Sequence, residues 1–195
     1  EEEDLFDLEI EDEEEEEEEE EGDAVLYQMP PLDTVSPKRQ AVYKKIISSK
    51  INSAKQYLQS GNFPKARRIL NEIVRVDGKN LVARLLRSKC AMEEEDFESS
   101  MEDLDVIMKY KKDDPTLLTL HGKAALEAGK LDVALKDFNR LIKKQPKNVD
   151  AYLHRGATYL DRGDYNREID DFHLVIRRKP NDPEAYINRG TCWLE

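Results

Sequence analysis

The stretch Asp150–Tyr165 reads DAYLHRGATYLDRGDY, and thirty-four residues further on the chain reads EAYINRGTCWLE. A period of this length constrains the fold more than any other signal, because each copy can bury its apolar face only against its neighbours. Frames of 34 run 47–80, 81–114, 115–148, 149–182 and, in part, 183–195, with no insertion or deletion. The eighth place of the frame is always small: Ala54, Ser88, Gly122, Gly156 and Gly190. Large apolar residues hold the twenty-fourth place (Leu70, Leu104, Phe138, Phe172) and the twenty-seventh (Ile73, Ile107, Leu141, Val175).

Within a frame the apolar spacing is helical. Leu135, Phe138, Leu141 and Ile142 fall on one stripe of a helix with 3.6 residues per turn. Gly61, Gly129 and Gly163 interrupt the pattern at one place, where a helix C-terminus favours left-handed backbone. Pro146 and Pro180 mark the end of the second helix, since proline cannot continue the hydrogen-bond ladder. Each frame therefore predicts a pair of antiparallel helices, and the chain an all-α array. The small eighth residue lets helix backbones come close, and the large residues fill the remaining space.

Gly156, Tyr159, Gly163, Phe172 and Pro180, with Tyr152 ahead of them, give residues 47–195 a resemblance to the tetratricopeptide-repeat (TPR) family, whose unit is a 34-residue helix-turn-helix. The resemblance implies a right-handed α-solenoid. Departures from the family pattern carry expectations of their own. Ala66 and Ala134 keep the usual alanine at the twentieth place, Ser100 is a mild change, and Glu168 sets a carboxylate where two helices touch. Glu168 is expected to pair with a base such as Arg155 or to push its two helices apart. Glu95 replaces the turn glycine, and left-handed backbone costs a residue with a side chain about 1–2 kcal/mol, so a reshaped turn is expected. Lys112 replaces the terminal proline, which leaves 81–114 the least regular frame.

Ahead of the repeats, Ser36 and Pro37 signal a helix start. That helix is expected to run on into the first frame and so to be unusually long. Residues 24–36 read as an extended linker, since Tyr27 to Pro37 inclusive contains three prolines. Residues 1–23 hold 18 Asp or Glu and no Lys or Arg, against a net charge of -12 for the whole sequence. Such a run repels itself and has little to bury, so it reads as a disordered acidic tail. The remaining residues carry 25 acids and 31 bases, a mildly basic body. No apolar run approaches the length of a membrane span, and no signal peptide is visible. The last frame breaks off at Trp193-Leu194-Glu195 with its apolar side uncovered, so further helices are expected beyond residue 195.

Cys90 and Cys192 occupy the same place three frames apart, too far for a disulfide when stacked helices lie about 8–10 Å from axis to axis. They read as core thiols in a reducing compartment inside the cell, the cytoplasm first, with nucleus and cilium as alternatives. Catalytic patterns are missing: there is no His-Glu-x-x-His, paired Cys-x-x-Cys or glycine-rich phosphate loop. EEEDFESSMEDLD (93–105) lacks the glycine and ligand spacing of a calcium loop. The sequence thus predicts no catalytic residue, no cofactor and no metal.

What a stack of helix pairs does offer is a concave surface, which in this family is lined by the first helix of each frame. The fifth place supplies Leu85, Leu153 and Ile187, and the sixth Leu86, Leu120, His154 and Asn188. The ninth supplies Lys55, Lys89 and Lys123. An apolar strip flanked by a lysine ladder suits an acidic, partly apolar peptide or helix of a partner protein. The family's set of side chains for gripping a chaperone's C-terminal carboxylate is not reproduced here. The tail itself, DLFDLEIED (4–12), has the composition of such a ligand and is expected to be able to dock in the groove. The reading is a non-catalytic interaction scaffold with no membrane or nucleic-acid partner. Its alternatives are an RNA-binding helical-repeat protein, disfavoured by scattered bases and packed aromatics, and a regulatory module of a larger enzyme.

Overall fold

The computed structural model describes residues 26–191, apart from the side chains of Tyr165, Glu168 and Thr191. The acidic segment 1–23, Cys192 and the Glu168 carboxylate of the sequence reading lie outside the described residues. Those residues form helices joined by short turns, with no strand among them: α1 (Pro37–Gln59), α2 (Phe63–Val76), α3 (Leu81–Glu93), α4 (Phe97–Met108), α5 (Pro115–Glu127), α6 (Leu131–Lys144), α7 (Val149–Arg162), α8 (Tyr165–Arg178) and α9 (Pro183–Thr191). They make up two compact units that divide after Cys90.

In the first unit, α1 is 23 residues long, as the start signal at Pro37 predicts. Ser36 precedes it without a capping bond from its hydroxyl. Instead the Gln40 side chain reaches back and donates to the Val35 carbonyl at 3.0 Å. Ile47 and Ala54 of α1, Leu70 and Ile73 of α2, and Ala83 and Cys90 of α3 share one core. The extended-linker expectation fails at its start. Leu26 and Met29 are 1% and 4% exposed and belong to that same core, beside Tyr43 and Ile46 of α1. Arg75 of α2 fixes them there, donating to the carbonyls of Leu26 at 2.7 Å and of Tyr27 and Met29 at 3.0 Å. Backbone oxygens that a free linker would leave to water are satisfied by one guanidinium from 46–49 residues away.

In the second unit each helix from α4 to α9 packs on the next, and α5 also meets α7, as α7 meets α9. The small eighth place explains how closely. A Cβ added to Gly122 would lie 2.8 Å from the Phe138 ring, and one added to Gly156 would lie 2.8 Å from the Phe172 ring. Both rings are fully buried. The same lock, a missing side chain filled by an aromatic sixteen residues on, is therefore built twice.

The turns follow the glycine pattern with one informative exception. Gly61, Gly129 and Gly163 have φ of 77°, 69° and 77°. Glu95 takes φ 58° and keeps the same pair of bonds: Glu95 N–H donates to Met92 O at 3.2 Å and Asp96 N–H to Ala91 O at 2.8 Å, as Gly129 and Lys130 do to Leu126 and Ala125. The turn is not reshaped; it is held in the glycine conformation. The irregularity of its frame shows instead in α4, which has 12 residues where α6 and α8 have 14.

A polar series also repeats. Arg155 and His121 hold the seventh place of their frames, and Asp171 and Asp137 the twenty-third. Arg155 bonds Asp171 with Nε and Nη2, both at 2.7 Å, and its Nη1 donates to Asn139 of the preceding frame at 2.6 Å. His121 bonds Asp137 through Nδ1, while its Nε2 lies 3.5 Å from Asp105, the counterpart of Asn139. In the first unit Arg87 donates to Asn71 at 3.0 Å in the same relation. Arg155, the base suggested for Glu168, is engaged by Asp171 and Asn139, while the Glu168 side chain lies outside the described residues.

Candidate functional site

The face presented by the first helices differs between the two units. In the first unit, Lys55 on α1 and Lys89 on α3 are exposed, and Leu85 and Leu86 on α3 are half-buried, with Leu86 resting against the core. In the second unit, Leu120 and Lys123 on α5 are half-buried, as are His154 on α7 and Asn188 on α9. Ile187 on α9 is 67% exposed, an unusual setting for an isoleucine, and its neighbour Tyr186 is 43% exposed. Leu153 corrects the sequence reading. It is only 5% exposed and packs with Phe172, Val175 and Ala185, so it belongs to the core and not to a ligand surface.

His154 is held by the fold rather than by a polar partner. Its ring stacks on Phe138, with centroids 5.6 Å apart and planes inclined by 27°. Burial is the main influence that holds its imidazole below the ordinary value, the Lys123 ammonium adds to it, and Asp150 opposes it. Lys123 and His154 are therefore neighbours in charge as well as in place. Leu120 lies one helical turn before Lys123 on the same side of α5, so an ammonium and an apolar side chain stand near the His154 ring, with the Asp150 carboxylate also within its field. Such a patch can attract a carboxylate and cover an apolar side chain. It has no nucleophile with a base beside it, and among the described residues no group of three His, Cys, Asp or Glu could hold a metal ion. No helix there is long and apolar enough to cross a membrane.

Charge separates the units more sharply than the body average suggests. Residues 24–90 carry 14 Lys or Arg against three Asp or Glu, whereas 91–195 carry 17 against 22. Summing over the whole body hides a strongly basic first unit behind a mildly acidic second one. Helix α1 is the extreme case, with Lys38, Arg39, Lys44, Lys45, Lys50 and Lys55 and no acidic residue.

Stacked helix pairs and the glycine–aromatic lock at a 34-residue interval define a helical-repeat fold. Residues 119–183, a third of the chain, match the family model described as tetratricopeptide repeat. Several solved structures share its fold. A MamA protein superposes with a TM-score of 0.69 at 20% identity, covering 75% of this chain and 80% of that one. A tetratricopeptide repeat protein from Parabacteroides merdae gives 0.70 at 17% identity, covering 80% and 61%. YrrB, described as a TPR protein with an unusual peptide-binding site, gives 0.67 at 14% identity, covering 82% and 83%. The search of curated proteins found no match.

Proposed function

We propose that this chain is a non-catalytic scaffold that holds an acidic, partly apolar peptide or helix of a partner protein against the first-helix face of its repeats. The observation that carries the reading is the patch on the second unit. There the Lys123 ammonium stands beside a stacked, uncharged His154, and Leu120 is half-buried close by in sequence. Exposed Ile187 adds apolar surface on α9 of the same unit. A carboxylate meeting Lys123 and an apolar side chain meeting Leu120 or Ile187 would use both kinds of contact, in the manner of peptide grooves. The peptide-binding site described for YrrB, a protein of the same fold, adds support by analogy. A helical stack leaves its side chains on a surface, which suits partner recognition better than turnover, and the Cys90 thiol fits a reducing compartment inside the cell. The chain's own acidic segment has the chemistry of a competing ligand.

The test is selection from a displayed library of random peptides about twelve residues long, followed by titration of an enriched peptide. Enriched sequences should combine Asp or Glu with Leu or Phe, and Lys123→Glu with Ile187→Asp should weaken binding at least tenfold. Enrichment without that bias, or affinity indifferent to both substitutions, would remove the reading. Tight binding of an RNA homopolymer that weakens steeply with salt would replace it with the nucleic-acid alternative.

A further inference from the structure

We infer that the acidic segment Glu1–Asp23 seats on the amino-terminal half of α1, residues 37–50, away from the first-helix patch of the second unit, and covers that basic surface against other acidic ligands. The inference stands on α1 and its surroundings, so it survives if the peptide-scaffold reading fails.

Charge comes first. Lys38, Arg39, Lys44 and Lys45 are all exposed, and among the described residues none of them is in an ion pair. Lys38 and Arg39 lie in the first turn, at the positive end of a helix with no acidic residue there to offset them, and Lys44 and Lys45 follow within two further turns. Cations in that position are disfavoured by the helix dipole as well as by one another, so an anion laid along the helix is stabilised twice. Val42, 53% exposed, sits one turn from Lys38 and one from Lys45 on the same side of the helix. An occupant should therefore be acidic with apolar residues interspersed. Residues 4–12, DLFDLEIED, with Leu5, Phe6, Leu8 and Ile10 among their acids, fit that description.

Geometry comes second. The acidic run does not join the body at an arbitrary point. Leu26, three residues after Asp23, is buried in the core against which Tyr43 and Ile46 of α1 pack, and Arg75 donates to its carbonyl and to those of Tyr27 and Met29. The segment is thus tethered next to the helix it complements. Fourteen helical residues span about 21 Å. An uncharged flexible chain of 23 residues has a root-mean-square reach of about 25 Å and like charges lengthen it, so the segment can span that distance. A tether of matched length gives an effective concentration in the millimolar range, so weak individual contacts suffice. The second unit, with more acids than bases, offers no comparable attraction.

Carbodiimide coupling tests this on the full chain, because it joins carboxylates to lysine amines only where they touch. At low salt and micromolar protein, carboxylates of 1–23 should couple to Lys38, Lys44 and Lys45 at least fivefold more often than to Lys55, Lys89 or Lys123. Those products should stay within one molecule and fall at least fivefold in 0.5 M salt. As a second arm, the variant K38E/R39E/K44E/K45E, with its helix content checked by circular dichroism, should be cut within 1–23 by a glutamate-specific protease at least threefold faster than the parent. Coupling spread evenly over the lysines, centred on Lys89 and Lys123, or joining two molecules would overturn the inference, as would an unchanged cleavage rate.

Discussion

Arg155 lies with its guanidinium edge against the carboxylate of Asp171, Nε and Nη2 each 2.7 Å from a separate oxygen, while Nη1 reaches Asn139. One side chain thereby ties α7 to the helices on either side of it. Burial pushes the Asp171 carboxyl up, and the hydrogen bond that Arg155 donates to Asp171 holds its guanidinium up. The two-point contact decides between these opposed tendencies, because a carboxylate that accepts two guanidinium bonds is stabilised as the ion. Arg155→Ala leaves that ion buried without its partner and is expected to cost about 3 kcal/mol in urea unfolding. The double variant Arg155→Met with Asp171→Leu should recover most of the loss. A double variant no more stable than the single one would contradict this account.

His154 gives the pH dependence. Its folded-state pKa is lowered, chiefly by burial, so the unfolded chain binds the proton more readily and stability must rise with pH through this range. The contribution is complete above the ordinary imidazole value of about 6.5 and is lost as the pH falls from there towards the folded-state value. Unfolding free energies at pH 7.5 and 5.5 should therefore differ less in His154→Gln than in the parent. In an NMR titration, Lys123→Ala should move the His154 midpoint upward, since the ammonium is the second cause of the depression.

Glu95 holds a left-handed conformation without being glycine. Replacing it by glycine removes a cost of about 1–2 kcal/mol and adds back about 0.5–1 kcal/mol of unfolded-chain entropy. Glu95→Gly is expected to raise stability by about 0.5–1 kcal/mol, read as a higher urea midpoint with an unchanged slope.

Alanine at Gly156 gains helix propensity but drives a methyl to within 2.8 Å of the buried Phe172 ring. Overpacking of that kind costs about 1–3 kcal/mol, so Gly156→Ala should destabilise and Phe172→Leu should partly rescue it. Gly190 occupies the same place in its frame, yet among the described residues nothing lies within 4 Å of its would-be Cβ. Gly190→Ala should instead stabilise by up to about 1 kcal/mol. Parallel thermal melts of the two variants decide the matter by their opposite signs.

The helices were legible because their signals are local. The glycine before α6 and the prolines after α6 and α8 act within a few residues, and the small eighth place repeats without change of character. The polar series was not legible, because its members change chemistry between frames. His121 and Arg155 do not look like one position until the structure sets each beside an aspartate sixteen residues on. Leu153 was misplaced for a related reason: helical periodicity alone does not say which edge of an apolar stripe a neighbour such as α9 covers. The clasp of Arg75 on Leu26 spans 49 residues and leaves no pattern in either segment. The charge contrast between units lay in plain view in the sequence but vanished in the sum, since no boundary at Cys90 was there to divide it.

The seams of the second unit are lashed unequally. Where α7 meets α6, a guanidinium reaches across to Asn139 at 2.6 Å; where α5 meets α4, an imidazole with fewer donors stops 3.5 Å short of Asp105. Under load or brief opening, the α4–α5 seam should part before the α6–α7 seam. Give confined to one joint lets the rest of the array keep its shape while its edge breathes.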